Sequence, residues 1–417
     1  MISYKQSKRI LKSSKIKIKD EIIKTNDCLN RISSENIKSY SNNPLGDNAA
    51  FDGYAINSKD TKNLNSNKIK LFKILRTVAA GDKPNHKKIK KFQTVEIMTG
   101  GLLPKGFDTI IPIEQIIYHP NRKNPKNIVI NKRIKKNQHV RFKGSDYKKN
   151  DLLIKKGTVL QSNHVLALKT LGVKNIKVKK TPNILFFSTG NEITNQENIP
   201  KWKVRNSNSY YIKSKVKNFL FNFFDGGILR DKDELVFEKQ IKKMIHSKID
   251  IIITSGAVSA GKFDYVPRII KKFNLSNHFK SVAIRPGKPI LFAKIKGKQK
   301  VIFGLPGNPI SSAACFRFFV YPYLESLLGI EEEKPIKAIL KNEFIKKENF
   351  TRFVKSKFNT TKDGKINVEI LKGQESFRIK SFVKSNIWTV LPSGKSKFKK
   401  NQIVDCFLPN HPNNILI

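Results

Sequence analysis

The sequence predicts an α/β multidomain protein: a central domain with a parallel sheet, preceded by a β-rich stretch and followed by a small β-barrel or sheet. Three observations carry this expectation. Between residues 178 and 326, apolar runs end in glycine-bearing loops, with helical patterns between or after them, as in strands covered on both faces by helices. On either side, residues 68–143 and 329–417 hold short alternating runs broken by turn formers. The 417 residues suffice for about three domains.

In chain order, residues 1–43 are expected to be helical in two pieces, with Ile10 and Leu11, then Ile22, Ile23 and Leu29, at loosely helical spacing. Pro44, Gly46 and Asp52-Gly53 break that pattern, and Tyr54-Ala-Ile56 opens a strand. Ile69 to Leu75 and Thr109 to Ile113 read as strands, and Tyr118 to Lys136 as a hairpin with a loop. A helix over Asn163 to Leu171 ends at Gly172 as its C-cap. In the central domain, Ile184 to Phe187, Asp250 to Thr254 and Val301 to Phe303 are strands. Helices are expected over Tyr210 to Phe224, Asp233 to Lys248 and Pro309 to Leu328. Ile366 to Ile370 and Ile403 to Phe407 are strands of the last domain.

Composition narrows the classes. Apolar residues make up 39% of the chain, enough to form several cores. No run of about 18 apolar residues exists, so a membrane span is not expected. The N-terminus lacks an apolar segment of signal-peptide length, and three scattered cysteines (Cys28, Cys315, Cys406) suit a reducing cytoplasm. Lys and Arg number 82 against 32 acids, a formal +50 that taken alone suggests a nucleic-acid surface. The excess is mostly Lys and runs through the whole chain. Abundant Asn, Ile and Phe share A/T-rich codons with Lys, so the charge is read as compositional bias, and no nucleic-acid partner is expected. The seven histidines show no zinc-ligand spacing.

Three glycine-bearing loops fall at expected strand ends: Ser188-Thr-Gly-Asn-Glu192, Ser255-Gly-Ala-Val-Ser-Ala-Gly261 and Leu305-Pro-Gly-Asn-Pro309. In open α/β sheets, ligands sit beyond such ends. Glycine lets backbone N–H groups approach a phosphate, and hydroxyls of Ser188, Thr189, Ser255 and Ser259 add donors. Any one loop reads first as a plain strand-to-helix turn, and three converging on one sheet edge turn the reading toward a ligand site. None matches the Walker or dinucleotide fingerprints. Arg285-Pro-Gly-Lys288-Pro289 places two cations on a stiff turn, an anion clamp or a solvated basic turn. Asp52, Asp146, Glu192 and Asp264 stand beside glycine loops in an acid-poor chain. They are candidates to hold Mg²⁺ or orient water, with turn and cap duty as the alternative.

Taken together, these strings resemble the molybdopterin molybdenumtransferase family, of the MoeA and gephyrin E-domain type. The resemblance rests on Ala50-Phe-Asp52-Gly-Tyr-Ala-Ile56, Glu96-Ile-Met-Thr99-Gly-Gly-Leu-Leu-Pro104, Arg141-Phe-Lys-Gly-Ser-Asp146, Asn206-Ser-Asn208, Thr254 to Asp264, Arg285 to Pro289 and Leu305 to Ser311, in collinear order. It covers about residues 1–325, and only weakly the remainder. It implies an elongated region (1–43 with 144–177), a β-rich insertion (44–143), an α/β molybdopterin-binding domain (178–326) and a C-terminal β-barrel domain (327–417).

The implied reaction inserts molybdate into adenylylated molybdopterin, with Mg²⁺, and releases AMP. The implied partner enzyme is a molybdopterin adenylyltransferase. The implied assembly is a homodimer whose cleft joins Asp52, Thr99 and Asp146 of one chain to Glu192, Asp264, Arg285 and Lys288 of the other. Asp52, Thr99, Asp146, Glu192 and Asp264 are the implied catalytic set, with Asp52, Glu192 and Asp264 toward the metal. Ser188, Thr189, Gly190, Asn208, Ser255, Gly256, Ser259, Gly261, Arg285, Lys288, Pro306, Gly307 and Asn308 would bind substrate. Three departures stand out: Ala257 where the family usually has Gly, Asn191 where it usually has Asp, and Lys262 where an acid is common. A tungstate-handling paralogue and a scaffold of the gephyrin type are the alternatives.

Overall fold

The computed structural model describes residues 1–83, 88–215, 220–258 and 264–409. Helix α1 (Tyr4–Ser13) opens with a capping box in which Ser3 and Gln6 satisfy each other's backbone N–H groups. The second N-terminal helix expected from Ile22, Ile23 and Leu29 does not form. Asp20–Lys24 is instead a strand, β1, because antiparallel partners lie about 155 positions later in the chain and their pairing overrides weak helical spacing.

The inserted domain is a six-stranded sheet of β2 (Gly53–Ile56), β3 (Lys70–Val78), β4 (Gln93–Ile97), β5 (Thr109–Pro112), β6 (Ile117–His119) and β7 (Asn127–Ile130). Its order is β5-β2-β4-β3-β7-β6, and β6 and β7 form the expected hairpin. Gly53 is obligatory, since a Cβ there would lie 2.0 Å from the Ile111 carbonyl oxygen. Helix α2 (Ser162–Thr170) follows, with Gly172 at φ +77 beyond it, then β8 (Asn175–Lys179), the partner of β1.

The α/β domain runs β9 (Asn183–Thr189), α3 (Ser207–Ser214), β10 (Asn222–Leu229), α4 (Glu234–Ile245), β11 (Ile251–Ser255), α5 (Val266–Ile270), β12 (Leu275–Phe279), β13 (Leu291–Ile295), β14 (Val301–Leu305), α6 (Pro309–Cys315) and α7 (Tyr321–Leu328). The helix expected up to Phe224 stops at Ser214. Its aromatic end lies in edge strand β10, which pairs parallel to β9. Sheet order is β10-β9-β11-β14-β13-β12; the first four strands are parallel, and β13 runs antiparallel to both β14 and β12. The apolar runs alternate between two cores. Ile184, Phe186, Ile251, Ile253 and Phe303 face one, with α6 and α7, and Phe187, Ile252 and Ile302 face the other, with α4 and α5. That double coverage is why the strands read as unbroken hydrophobic runs.

Between α6 and α7 the chain makes a π turn over Phe316–Val320, with the Tyr321 N–H bonded to the Phe316 carbonyl. Pro322 next in sequence cannot supply an N–H and crowds the preceding turn, a cause of such widening. The last domain is a closed barrel, β15 (Ile336–Leu340), β16 (Thr351–Thr360), β17 (Ile366–Ile370), β18 (Ile387–Leu391) and β19 (Ile403–Phe407), with short helix α8 (Ile379–Lys384). Strand order is β16-β17-β15-β19-β18, closed by pairing of β18 with β16. No helix among the described residues is long and apolar enough to cross a membrane.

Arg317 joins barrel to α/β domain. It is 2% exposed, pairs with Glu333 at 2.5 Å, donates to the Leu408 carbonyl at 2.8 Å, and lies over the rings of Phe318, Tyr321 and Phe407. Burial pushes the nearby Glu325 carboxyl up to about 8, against the opposing pull of Arg317. We expect Arg317→Met to lower unfolding free energy by about 3–5 kcal/mol in urea titration, because it strands buried acids. Glu325 releases its proton less readily folded than unfolded, so wild-type stability should fall as pH rises from about 4.5 to about 8. Glu325→Gln should flatten that slope, and an unchanged slope would refute the assignment.

Candidate functional site

Register brings the three glycine loops to one level. Ser188 of β9 lies opposite Ser255 of β11, which lies opposite Leu305 of β14. The loops leave these strands together at their C-terminal edge. Gly256, at φ +101, packs so tightly on β9 that a Cβ would stand 2.5 Å from Thr189 Oγ1 and 2.6 Å from its carbonyl oxygen. Its N–H donates to the Leu305 carbonyl at 2.9 Å.

Helix α3 starts beside these loops and stitches them. Asn208 Nδ2 donates to Ser255 Oγ at 2.6 Å and to the Gly307 carbonyl at 2.8 Å. Ser188 Oγ donates to Asn206 Oδ1, Thr189 Oγ1 to the Ser255 carbonyl, and Ser255 Oγ to the Pro306 carbonyl. The buried hydroxyls of Ser188, Thr189 and Ser255 therefore brace the loops, whereas Gly307 and Asn308 stand exposed at the edge. Asn308 Nδ2 donates to Ser376 Oγ of the barrel domain at 3.2 Å.

Glu192 is exposed and its carboxylate folds back over Gly190, where a Cβ would be 2.4 Å from Oε2. Gly190 at φ +135 leaves room for that fold. Arg285, in a two-residue strand paired with Thr351 and Arg352 of the barrel, and Lys288 are both exposed, beside a turn that Gly287 seats against α6, with a Cβ there only 2.4 Å from Cys315 Sγ. The same helix α6 follows the Pro306-Gly307-Asn308 loop in the chain. Arg285 also lines a cavity of about 510 Å³ with Lys346, Lys347, Arg352 and Glu375 of the barrel domain. Burial first, and Arg285 second, bring the Arg352 guanidinium down to about 10. Asp264 is half-buried, while Ser259, Gly261 and Lys262 lie outside the described residues.

The remaining candidates sit on other domains. Asp52 Oδ1 accepts from the Thr99 N–H at 2.6 Å and from Thr99 Oγ1 at 2.8 Å, and these bonds hold its carboxyl below the usual range. Asp146 accepts from Asn43 Nδ2 at 2.8 Å. No hydrogen bond joins Asp52, Thr99 or Asp146 to the sheet-edge loops among the described residues. Nor does any group of three or more His, Cys, Asp or Glu there gather closely enough for a metal.

Three stretches of the chain match known families. Residues 2–172 match the MoeA N-terminal region (domain I and II), 186–326 a probable molybdopterin binding domain, and 337–408 the MoeA C-terminal region (domain IV). The molybdopterin molybdenumtransferase of Staphylococcus aureus strain COL is 33% identical over 384 residues, 91% of this chain and 89% of that one. This chain belongs to the molybdopterin molybdenumtransferase family. Its members are transferases of molybdenum cofactor biosynthesis. The Staphylococcus epidermidis relative (strain RP62A) is 31% identical over 98% of this chain and 95% of its own. A molybdopterin biosynthesis MoeA structure from Pyrococcus horikoshii superposes with TM-score 0.82 at 27% identity, covering 98% of this chain and 99% of that one. Another from that organism reaches 0.83 at 24% identity, covering 98% and 100%.

Two departures from the family pattern now have physical accounts. Asn191 Nδ2 donates to Asp231 Oδ2 at 2.8 Å, and its Oδ1 accepts from the Asp231 N–H at 3.2 Å. An Asp at this position would set two carboxylates against each other here. Ala257 sits at φ +52, a region that favours glycine. Sequence reasoning missed Arg230, whose guanidinium contacts the Glu192 loop, although its place at the C-terminal end of β10 was a usable signal. It also missed Lys355, 1% exposed, which donates to the carbonyls of Gly373, Glu375 and Arg378 and shapes the loop carrying Ser376. Nothing in that alternating strand marks Lys355 out. Relief of left-handed strain should let Ala257→Gly raise unfolding free energy by about 0.5–1 kcal/mol, after the larger chain entropy of glycine is subtracted. Urea titration measures this, and a loss would show that the Ala257 methyl packing outweighs the strain.

Proposed function

We propose that the chain, as a homodimer, inserts molybdate into adenylylated molybdopterin and releases AMP. What supports this reading is that Arg285, Lys288 and the glycine loops belong to the α/β domain, whereas Asp52, Thr99 and Asp146 belong to other parts of the chain and share no hydrogen bond with those loops among the described residues. A facing pair of subunits would unite them. Arg285, Lys288 and the loop at Gly307 and Asn308 would hold the pyrophosphate and molybdate anions. Gly190, Gly256 and Asn208 would set the backbone against which the substrate lies. Ser259 and Gly261 belong to the same proposed loop.

Asp52 is a weak proton acceptor, because Thr99 stabilises its ionised form. That suits holding a cation or orienting water better than taking a proton. Carboxylates fit Mg²⁺, a hard ion that prefers oxygen ligands. Asp52 of one subunit, with Glu192 and Asp264 of its partner, would hold it. Bound there, Mg²⁺ would neutralise charge on the phosphoanhydride oxygens. Asp146, fixed by Asn43, would border the same cleft. A molybdopterin adenylyltransferase would supply the substrate, and the cytoplasm is the proposed compartment, in keeping with three free, buried cysteines.

Light scattering should give about twice 47.7 kDa. Asp52→Asn and Glu192→Gln should each remove most AMP release from adenylylated molybdopterin while leaving the circular dichroism unchanged. Mixing Asp52→Asn with Lys288→Ala subunits should restore part of the activity, since one cleft of the heterodimer would be intact. Wild-type turnover in both carboxylate variants would overturn the site, and an active monomer would overturn the shared cleft.

A further inference from the structure

The geometry points to Arg230 as the positioning residue for Glu192. This inference rests on the site reading proposed above and deepens it. Arg230 stands one residue beyond β10 and is half-buried. Its Nη1 donates to the carbonyls of Gly190 at 3.1 Å, Asn191 at 3.2 Å and Ile193 at 2.7 Å. Two hydrogens are thus shared over three oxygens. These oxygens belong to the residues on both sides of Glu192, so a single cation grips the backbone before and after the exposed carboxylate.

The surrounding bonds point the same way. The Gly190 N–H donates to the Leu229 carbonyl at 3.0 Å, and Asp231 exchanges two hydrogen bonds with Asn191. Lys203 Nζ also donates to the Asn191 carbonyl, and the Val204 N–H donates to the Glu192 carbonyl at 2.8 Å. The Arg230 backbone is itself fixed, its N–H donating to Asp233 Oδ2 at 2.7 Å. The carbonyl oxygens of the loop are thereby occupied and not presented to an anionic ligand. The carboxylate of Glu192, folded over Gly190, is the part of the loop left to act. Without Arg230 the loop would keep its ends and lose its centre. Glu192 would then sample many positions, which lowers turnover more than substrate affinity, because other loops hold the anions.

The test uses the full-length dimer carrying Arg230→Ala or Arg230→Lys. AMP release from adenylylated molybdopterin gives kcat and KM, and hydrogen exchange read by mass spectrometry gives the local order of residues 189–206. For Arg230→Ala we expect kcat to fall roughly 10- to 100-fold, as for a misplaced reacting group. KM should stay within about threefold, because ground-state contacts are kept. Exchange should quicken in 189–206 and stay at wild-type rates in β11 and β14. Arg230→Lys, which can still reach one or two of the carbonyls, should recover part of both losses. Wild-type kcat in Arg230→Ala, or unchanged exchange across 189–206, would overturn the assignment. So would exchange quickened throughout the α/β domain in both variants, which would mark a general structural role. If wild-type protein released no AMP, the site reading would fall, while the exchange comparison would still decide whether Arg230 holds the loop.

Discussion

The distance between two parallel strand ends governs the sheet edge. Gly256 lies so close to Thr189 that no side chain fits between them. Everything else at the edge follows from that approach. The loops after β9, β11 and β14 start at one level, their buried hydroxyls turn to neighbouring carbonyls, and Asn208 can bridge two loops with one amide. A chain with any larger residue at 256 would have to part β9 from β11. The polar groups would then face one another across a gap too wide for hydrogen bonds.

A second coupling links this edge to the barrel. Asn308 meets Ser376, Arg285 shares a cavity with Arg352, and Arg317 binds the chain beyond β19. Lys355, brought down to about 8 mainly by burial, keeps its place through three carbonyls of the 373–378 loop. Buried cations at domain junctions do different work from the many exposed lysines. An exposed lysine contributes little by itself, whereas Arg317 ties a carboxylate and a carbonyl together and Lys355 organises three carbonyls at once. The +50 charge says little about function, and a handful of its members matter.

Much of this architecture was legible in the residues. Long apolar runs betrayed strands buried on both faces, and glycine at their ends marked the edge where ligands gather in α/β folds. The barrel strands were visible as alternation. What stayed hidden was set by partners far off in sequence. Ile22 and Ile23 carry too weak a spacing to choose between helix and strand, and β8 decides the matter. Phe223 and Phe224 are drawn into an edge strand by β9. The candidate site was half legible. Carboxylates and glycines could be singled out by type, but the grip of Arg230 depends on loop carbonyls, and carbonyls leave no trace in a sequence.

The pairing of β1 with β8 gives the chain an order of assembly. Strand β1 ends at Lys24 and its partner begins at Asn175, with the whole six-stranded insertion between them. During synthesis the insertion emerges complete while the platform beneath it still lacks a strand. Domains generally fold as units as they leave the ribosome. The inserted sheet can therefore close first and hold the ends of its host near one another. The later strand then docks across a short gap in place of a search through about 150 loose residues, whose closure would be slower and entropically harder.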